Sequence, residues 1–172
     1  PDPEIFEVLE YNHETLVNRL RELSFLMKGL KITFNNERDG KNEEFYYEGG
    51  IKSYVEFLNR TKTKIHDEVI MLSGEKDDVI VEIAVQWNDG YSDTMLSYAN
   101  NINTHEGGTH VAGFRTSITR IVNKYGQEND MFKGMGEPLS GDDIREGLTA
   151  VVSVKIASPQ FEGQTKTKIG NS

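Results

Sequence analysis

The sequence has no cysteine among its 172 residues and only 4 prolines. The absence of cysteine excludes a disulfide scaffold, a thiolate metal site and a cysteine nucleophile. It is consistent with the reducing cytoplasm, where we expect the protein to act. No hydrophobic run approaches the ~20 residues that a helix needs to cross a bilayer, so we expect no membrane partner. The 36% of hydrophobic residues is typical of a globular protein with a substantial core.

Positive charge is also scarce, because 19 Lys and Arg residues stand against 28 Asp and Glu residues. The net charge of −9 is opposite in sign to that of a dedicated nucleic-acid domain, whose binding is driven by neutralising phosphates. The chain as a whole is therefore not a domain of that kind. Any contact with DNA has to come from a local basic face.

The organisation of the chain is simple. The sequence shows no internal repeat and no low-complexity linker, which predicts a single domain over residues 1–172. Its first residues carry neither a signal-peptide pattern nor an initiator methionine. We interpret the chain as a fragment of a larger protein.

The spacing of apolar residues predicts helices and strands in alternation. Helical spacing recurs over residues 12–28, 51–58 and 109–125. Strand patterns cover residues 31–35, 45–47, 68–72, 79–87, 94–100 and 148–157. The element order α-β-β-α-β-β-β-α-β predicts an α/β (α+β) protein, with a mixed sheet and helices on one face.

Three expectations concern how these elements connect. Residues 66–101 are predicted to form an antiparallel meander, with a turn over residues 74–77. The β-branched strand at 148–157 is predicted to be central in the sheet. Residues 126–139 are predicted to be a mobile loop, and a capping-box pattern at Ser140 and Asp143 predicts a one-turn helix after it.

Two histidines flank a pair of glycines in the segment 105–110. A zinc-protease helix needs its histidines four apart on one face, whereas His105 and His110 are five apart. We interpret Gly107-Gly108 as a tight turn that lets two backbone segments approach closely and that starts the following helix.

The remaining polar patterns do not form a catalytic or metal site. Asp142-Asp143 fits the first turn of a helix, where the helix dipole favours acids. No Ser/His/Asp order, phosphate-binding loop or dinucleotide fingerprint occurs in the chain. The sequence therefore predicts no metal ligand.

A polar run, Phe161–Lys168, follows the strongest strand pattern in the chain. It places the amide of Gln164 and the ammonium groups of Lys166 and Lys168 within five positions. Because lysine binds phosphate as a compact point charge with three donors, the run predicts a loop that reaches out to an anionic ligand. A solvated, lysine-rich tail is the alternative.

Arg115 is the second candidate for binding an anion. On a helical wheel it falls beside Ile118 and Val122, at the margin of the apolar stripe of the 109–125 helix. An arginine in that position either buries its stem and extends its head into solvent, or it lines a groove or cavity. The pattern is compatible with both.

Four long strings resemble the B subunits of bacterial DNA gyrase, in order and over essentially the whole chain. They are YEGGIKSYVEFLNR (47–60), NNINTHEGGTHVAGFRTSITR (100–120), LSGDDIREGLTAVVSVKI (139–156) and PQFEGQTKTKIGNS (159–172). The resemblance is to the second, transducer domain of the ATPase region. It implies a fold similar to domain 2 of ribosomal protein S-five, with a left-handed βαβ crossover in place of the usual right-handed one.

The resemblance also implies an activity, that of an ATP-hydrolysing DNA topoisomerase that captures DNA, passes strands and introduces negative supercoils. In this family a Gln-Thr-Lys loop binds the γ-phosphate of ATP, which falls on Gln164, Thr165 and Lys166. Gln164 and Lys166 would take part in catalysis. The family's arginine that faces the cavity holding the captured DNA falls on Arg115.

The resemblance further implies the cofactors and partners. ATP and Mg²⁺ would be bound by an upstream ATPase domain, whose acidic base and glycine-rich lid have no counterpart here, so this fragment alone is expected to be inactive. The expected partners are DNA, that ATPase domain and the gyrase A subunit in an A2B2 heterotetramer. ATP-dependent dimerisation of the B subunit is also expected.

Other functions are compatible with parts of the sequence. The equivalent domain of the topoisomerase IV ParE subunit carries similar strings, although residues 101–108 look more like gyrase. A stand-alone nucleic-acid-binding module of the same fold is disfavoured by the acidic balance. A mismatch-repair transducer is disfavoured by the Gln-Thr-Lys string.

Overall fold

A computed structural model of the chain describes residues 1–134 and 137–171. The fold divides into two compact units, an N-terminal unit of residues 1–53 and a sheet unit that begins at Tyr54. The single domain over residues 1–172 stays a prediction. Within the described ranges, no helix is both long enough and apolar enough to cross a membrane.

The N-terminal unit consists of a helix followed by a hairpin. Helix α1 occupies His13–Leu26, and the Asn12 side chain caps it by accepting a hydrogen bond from the Thr15 amide at 2.9 Å. Strands β1, Ile32–Asn36, and β2, Lys41–Phe45, pair antiparallel. The predicted second strand at 45–47 is wrong, because the turn ending at Gly40 (φ 71°) closes at once and pairing is over by Phe45.

Helix α2 occupies Ile51–Leu58, as predicted. The sheet unit that follows is built on five strands. They are β3, Ile70–Lys76; β4, Val79–Trp87; β5, Thr94–Ala99; β6, Ile102–Asn103; and β8, Leu148–Ile156, which comes after a short strand β7 at Gly107–Gly108. Their order in the sheet is β3-β4-β8-β5-β6.

Strand β8 is central, as predicted. It pairs antiparallel with β4 and parallel with β5, so the sheet is mixed and the α/β class is confirmed. Leu148 to Val154 are all buried, which suits a strand covered on both faces. The predicted meander is wrong between β4 and β5, because β8 inserts between these two strands.

The hairpin between β3 and β4 also differs from the prediction. Strand β3 continues through the residues assigned to the turn, and Lys76 pairs directly with Val79. The turn consists of Asp77 and Asp78 alone, with φ of 51° and 60°. Two consecutive positive φ angles are the pattern of a type I′ turn, whose twist matches that of a two-residue hairpin.

Helix α3, Thr109–Glu128, connects β5 to β8 and covers one face of the sheet. Its Phe114 packs in a cluster with Val85 of β4 and with Leu148, Ala150 and Val152 of β8. The helix extends beyond the predicted end, so the predicted loop 126–139 begins later. Residues 135 and 136 of that loop lie outside the described residues.

The short helix α4, Gly141–Arg145, has the predicted capping box. The Ser140 hydroxyl accepts from the Asp143 amide at 3.2 Å, and the Asp143 carboxylate accepts from the Ser140 amide at 2.8 Å. These two bonds satisfy donors that a helix start otherwise leaves unpaired.

The face of the sheet opposite α3 is covered by polar as well as aromatic side chains. The hydroxyl groups of Tyr54 and Tyr98 lie 3.4 Å apart in the interior. Beside them the Asn59 amide donates to Gln86 at 3.0 Å and accepts from the Thr149 hydroxyl at 2.6 Å. These groups are buried, and their mutual bonds offset the cost of removing them from water.

Candidate functional site

The polar run near the end of the chain is the tip of a hairpin, which we call the tip hairpin (residues 160–170). Its final strand β9, Lys168–Ile169, pairs with β7 in parallel. Across the hairpin, the Glu162 amide donates to the Lys168 carbonyl at 3.0 Å, and the Gly170 amide donates to the Gln160 carbonyl at 2.8 Å. The run is therefore folded back on itself and attached to the sheet unit at its base.

Two apolar side chains anchor the tip hairpin in the core. Ile169 is only 2% exposed and packs with Ala99 of β5 and Val154 of β8. Phe161, opposite Ile169 in the hairpin, packs against the same cluster. The base of the hairpin is thus fixed by burial of apolar surface, while its tip extends into solvent.

The tip itself is a tight turn that exposes the predicted residues Gln164, Thr165 and Lys166. The Lys166 amide donates to the Gly163 carbonyl at 3.0 Å. Lys166 has φ of 56°, a left-handed conformation that is uncommon for a non-glycine residue and costs on the order of 1 kcal/mol. The other non-glycine residues with positive φ in the described part of the chain are all Asp or Asn, which adopt this conformation more readily than lysine does.

The two lysines of the run differ in their surroundings. The Lys168 ammonium lies 3.0 Å from the Glu162 carboxylate. The Lys166 ammonium makes no ion pair and no side-chain hydrogen bond with residues 1–134 or 137–171. Lys166 is therefore the lysine with free donor capacity toward a ligand, a distinction that the sequence does not reveal.

The glycine pair of β7 explains how the tip hairpin comes so close to helix α3. Gly108 has φ of 137°, and a Cβ atom there would lie 2.3 Å from the carbonyl oxygen of Ile169. Only glycine permits this approach. The predicted close contact and the helix start at Thr109 are confirmed, with Ile169 as the partner. The predicted turn at the two glycines is wrong, because they form strand β7 and the turn lies before them, at residues 105–106.

Hydrogen bonds beside this junction also attach the tip hairpin to the segment that precedes α3 and to the first residue of α3. The Glu106 amide donates to the Thr167 carbonyl at 3.0 Å, and the Thr167 hydroxyl donates to the Glu106 carboxylate. The Thr109 hydroxyl donates to the carbonyl of Asn171. Sequence reasoning missed these contacts, because they join segments about sixty positions apart.

His110, the second residue of α3, is another group whose surroundings the sequence did not reveal. Its Nε2 lies 3.0 Å from the Thr104 hydroxyl, which in turn lies 2.9 Å from the hydroxyl of Ser97. Burial lowers the pKa of His110 below its ordinary value. The imidazole is therefore neutral at physiological pH and lies half-buried at the start of α3.

Arg115 lies on α3, with its side chain 47% exposed, at the edge of a polar cavity of about 320 Å³. Its Nη2 is 3.8 Å from Oδ2 of Asp93. Arg145 of α4 lines the same cavity, and its Nε is 4.0 Å from the same Asp93 oxygen. Arg115 thus lines a groove together with a second arginine that sequence reasoning missed.

The tip hairpin and Arg115 are connected through one helix. Helix α3 begins directly after the glycines that pair with β9, and Arg115 follows Thr109 by a rise of about 9 Å along the helix axis. No group of three or more His, Cys, Asp or Glu side chains suited to hold a metal ion occurs in the described residues.

Comparisons with known proteins agree on the family. The sequence model of DNA gyrase B matches residues 50–172. The B subunit of DNA gyrase from Clostridium acetobutylicum is 58% identical over 173 residues, which cover 100% of this chain and 27% of that protein. The curated relative is thus much longer than this chain, which spans about a quarter of it.

Solved structures give the same answer. The 43K ATPase domain of Thermus thermophilus gyrase B, solved in complex with an aminocoumarin, has a TM-score of 0.86 and 38% identity, and the match covers 99% of this chain and 46% of that chain. A topoisomerase IV ATP-binding domain from Francisella tularensis has a TM-score of 0.81 and 28% identity over 100% of this chain and 46% of its own. The chain belongs to the DNA gyrase B family.

Proposed function

We propose that this chain forms the transducer of an ATP-dependent DNA topoisomerase of the gyrase type. In this role it couples ATP binding and hydrolysis by a neighbouring module to DNA capture, strand passage and negative supercoiling. The observation that carries the proposal is the Lys166 ammonium, exposed and unpaired within the described residues, on a hairpin whose base is anchored in the core.

The chemistry of the tip suits a terminal phosphate. Lys166 supplies up to three charged donors and Gln164 an amide donor, while the Thr165 hydroxyl can donate as well. A charge-assisted hydrogen bond contributes about 1.5–3 kcal/mol. The same ammonium opposes the negative charge that develops on the phosphoryl oxygens during transfer, so Lys166 serves both binding and catalysis.

Loss of the γ-phosphate would act as a switch. A difference of ~3 kcal/mol in contact energy shifts a two-state equilibrium by about 150-fold, enough to bias a hinge between this unit and the module that holds the nucleotide. With the phosphate present the tip hairpin docks. After hydrolysis and phosphate release the tether is lost, and the sheet unit is free to move.

The proposal extends to cofactors, partners and location. ATP and Mg²⁺ would be held by an upstream ATPase domain of the same protein, and we assign none of the residues described here to Mg²⁺. The partners are DNA, that domain, a second copy of the same protein that dimerises with it when ATP binds, and the gyrase A protein in an A2B2 assembly. Residues 1–172 would act as one transducer domain of a cytoplasmic enzyme, inactive when isolated.

The test is the ATPase rate of a longer protein that includes this chain and its upstream domain. We expect Lys166→Ala to lower turnover at least ~100-fold, the size of losing one electrostatic contact to the transition state. Lys168→Ala is the matched control, because Lys168 is already paired with Glu162 and its loss should change turnover by less than about threefold. Near-normal turnover of Lys166→Ala would remove Lys166 from the mechanism.

The equivalent protein of topoisomerase IV is the second candidate, since a topoisomerase IV domain shares the fold with a TM-score of 0.81. The two enzymes differ in product. Introduction of negative supercoils into relaxed plasmid by the assembled enzyme supports the gyrase type. Decatenation without supercoiling would identify the topoisomerase IV type.

A further inference from the structure

Three acidic residues line the polar cavity beside α3, namely Asp93, Asp142 and Glu146, and the carboxylate of Asp93 is shared by two guanidinium groups. Oδ2 of Asp93 lies 3.8 Å from Nη2 of Arg115 and 4.0 Å from Nε of Arg145. Both distances are longer than a hydrogen bond, so Asp93 interacts with the two arginines as a charge and does not lock them by direct bonds. The three side chains form a unit, which we call the Asp93 cluster (Asp93, Arg115 and Arg145).

The two arginines of the Asp93 cluster are held very differently. Arg145 is only 17% exposed, and its Nη2 lies 2.5 Å from Oδ1 of Asp142. Gly141 leaves room for it, because a Cβ atom there would lie 2.8 Å from Nη1 of Arg145. Arg115 is 47% exposed, and the ion pair it makes within the described residues is with Asp93. Arg115 is therefore the arginine that can leave the cluster for another anion.

A second groove begins where the polar cavity ends. It has a volume of about 470 Å³ and is lined by Arg115, Arg145 and Arg120, with only threonine and asparagine side chains between them. No acidic residue lines this groove within the described part of the chain, although the chain carries a net charge of −9. Three arginines among hydroxyl and amide groups suit a polyanion that offers successive phosphates.

We propose that Asp93 is a built-in counter-anion that a phosphate of the DNA backbone displaces from Arg115. This inference rests on the proposed function and on the DNA-facing position that the family resemblance implies for Arg115. An exposed ion pair of this length favours the closed cluster by only about 1.5- to 5-fold. A guanidinium that binds a phosphate through two parallel hydrogen bonds interacts more strongly than this ion pair does, so DNA displaces the Asp93 carboxylate from Arg115. Because Asp93 competes with the phosphate, it lowers the net affinity for DNA.

The experiment measures how the ATPase rate of the full-length protein, assembled with the gyrase A protein, depends on the concentration of linear duplex DNA. In Asp93→Asn the competing charge is absent, and we expect the half-saturating DNA concentration to fall by about 2- to 6-fold. Glu146→Gln is the matched control. It removes the same charge from the lining of the same cavity, but Glu146 makes no ion pair with Arg115 or Arg145 in the described structure, so we expect a change below about twofold.

Combining the substitutions separates this inference from the proposed function. Arg115→Ala alone should raise the half-saturating DNA concentration, and in that background Asp93→Asn should change it by less than about twofold, through the charge that Asp93 presents to Arg145. If Arg115→Ala leaves the DNA dependence unchanged, the proposed DNA-facing role of Arg115 fails. If Arg115→Ala acts as expected but Asp93→Asn matches Glu146→Gln, or raises the half-saturating concentration, the displacement of Asp93 is refuted and the proposed function stands.

Discussion

Substituting Gly108 by alanine tests how the tip hairpin is attached to the sheet unit. A Cβ atom at this position would lie 2.3 Å from the carbonyl oxygen, 2.9 Å from the amide nitrogen and 2.7 Å from Cγ2 of Ile169. Two of these three atoms belong to the backbone of β9, so no side-chain rotation relieves the contact. The φ of 137° is also one that an L-residue rarely adopts.

The loss of stability in Gly108→Ala depends on which part of the structure yields to the added Cβ atom. Holding alanine in this backbone conformation costs about 1–3 kcal/mol. Separating β7 from β9 withdraws Ile169 from the core, and complete exposure of such a side chain costs about 1.5–3 kcal/mol. These are alternative outcomes, and the variant adopts the less costly one, so we expect a loss of about 1–3 kcal/mol in the free energy of unfolding. At about 2–4 °C per kcal/mol for a chain of this size, this corresponds to a decrease in Tm of roughly 2–12 °C.

Two measurements on the variant distinguish these outcomes. Thermal unfolding reports strain in the docked state, and amide hydrogen exchange at residues 106–108 and 160–170 reports release of the hairpin. Gly163→Ala is the control in the same hairpin, because the nearest atom to its Cβ would be Oγ1 of Thr165 at an ordinary 3.9 Å. If Gly108→Ala changes neither Tm nor exchange by more than Gly163→Ala, the close approach of β7 and β9 does not exist in solution.

Two further predictions concern the N-terminal cap of α4 and the half-buried His110 of α3. Ser140→Ala removes the hydroxyl that accepts from the Asp143 amide, so we expect a loss of about 1 kcal/mol in the free energy of unfolding, measured with urea; an unchanged midpoint would contradict the capping box. Burial lowers the pKa of His110, so the unfolded chain binds its proton more tightly and stability decreases as pH falls below the ordinary value of 6.5. His110→Gln should therefore lose less stability than the parent chain between about pH 7.5 and 5.0, and an equal loss in both would show that His110 does not contribute.

The central strand could be predicted from sequence because its own residues require that position. Ala150 to Val154 are small or β-branched on both faces, and only a strand covered on both sides tolerates this pattern. The partner of β5 could not be predicted in the same way. β5 and β4 follow each other in the chain and look like a hairpin, but β8 lies between them, after the whole length of α3. Local patterns contain no information about such an insertion.

The candidate site, like the sheet, could be predicted from the sequence only in part. The polar run at 161–168 indicated an exposed loop with ammonium groups, and Gly107-Gly108 indicated a close backbone contact. Which lysine is available depended on Glu162, which pairs with Lys168 across the hairpin, and on the positive φ of Lys166. Both are properties of the folded hairpin, since its register decides which side chains face each other.

The contact between β7 and β9 has a consequence for coupling. Lys166 and Arg115 belong to different parts of the chain, yet the hairpin that carries Lys166 is paired with the two residues from which α3 starts, and α3 carries Arg115. Because the hydrogen bonds of α3 keep its 20 residues stiff, we expect a displacement of its first turn to reach Arg115. If Lys166 contacts the phosphate as proposed, Lys166→Ala removes that contact and leaves this connection intact, whereas Gly108→Ala retains the lysine but separates its hairpin from the start of α3. If the connection transmits the state of the nucleotide, Gly108→Ala should retain ATP hydrolysis better than Lys166→Ala does, while losing its dependence on DNA.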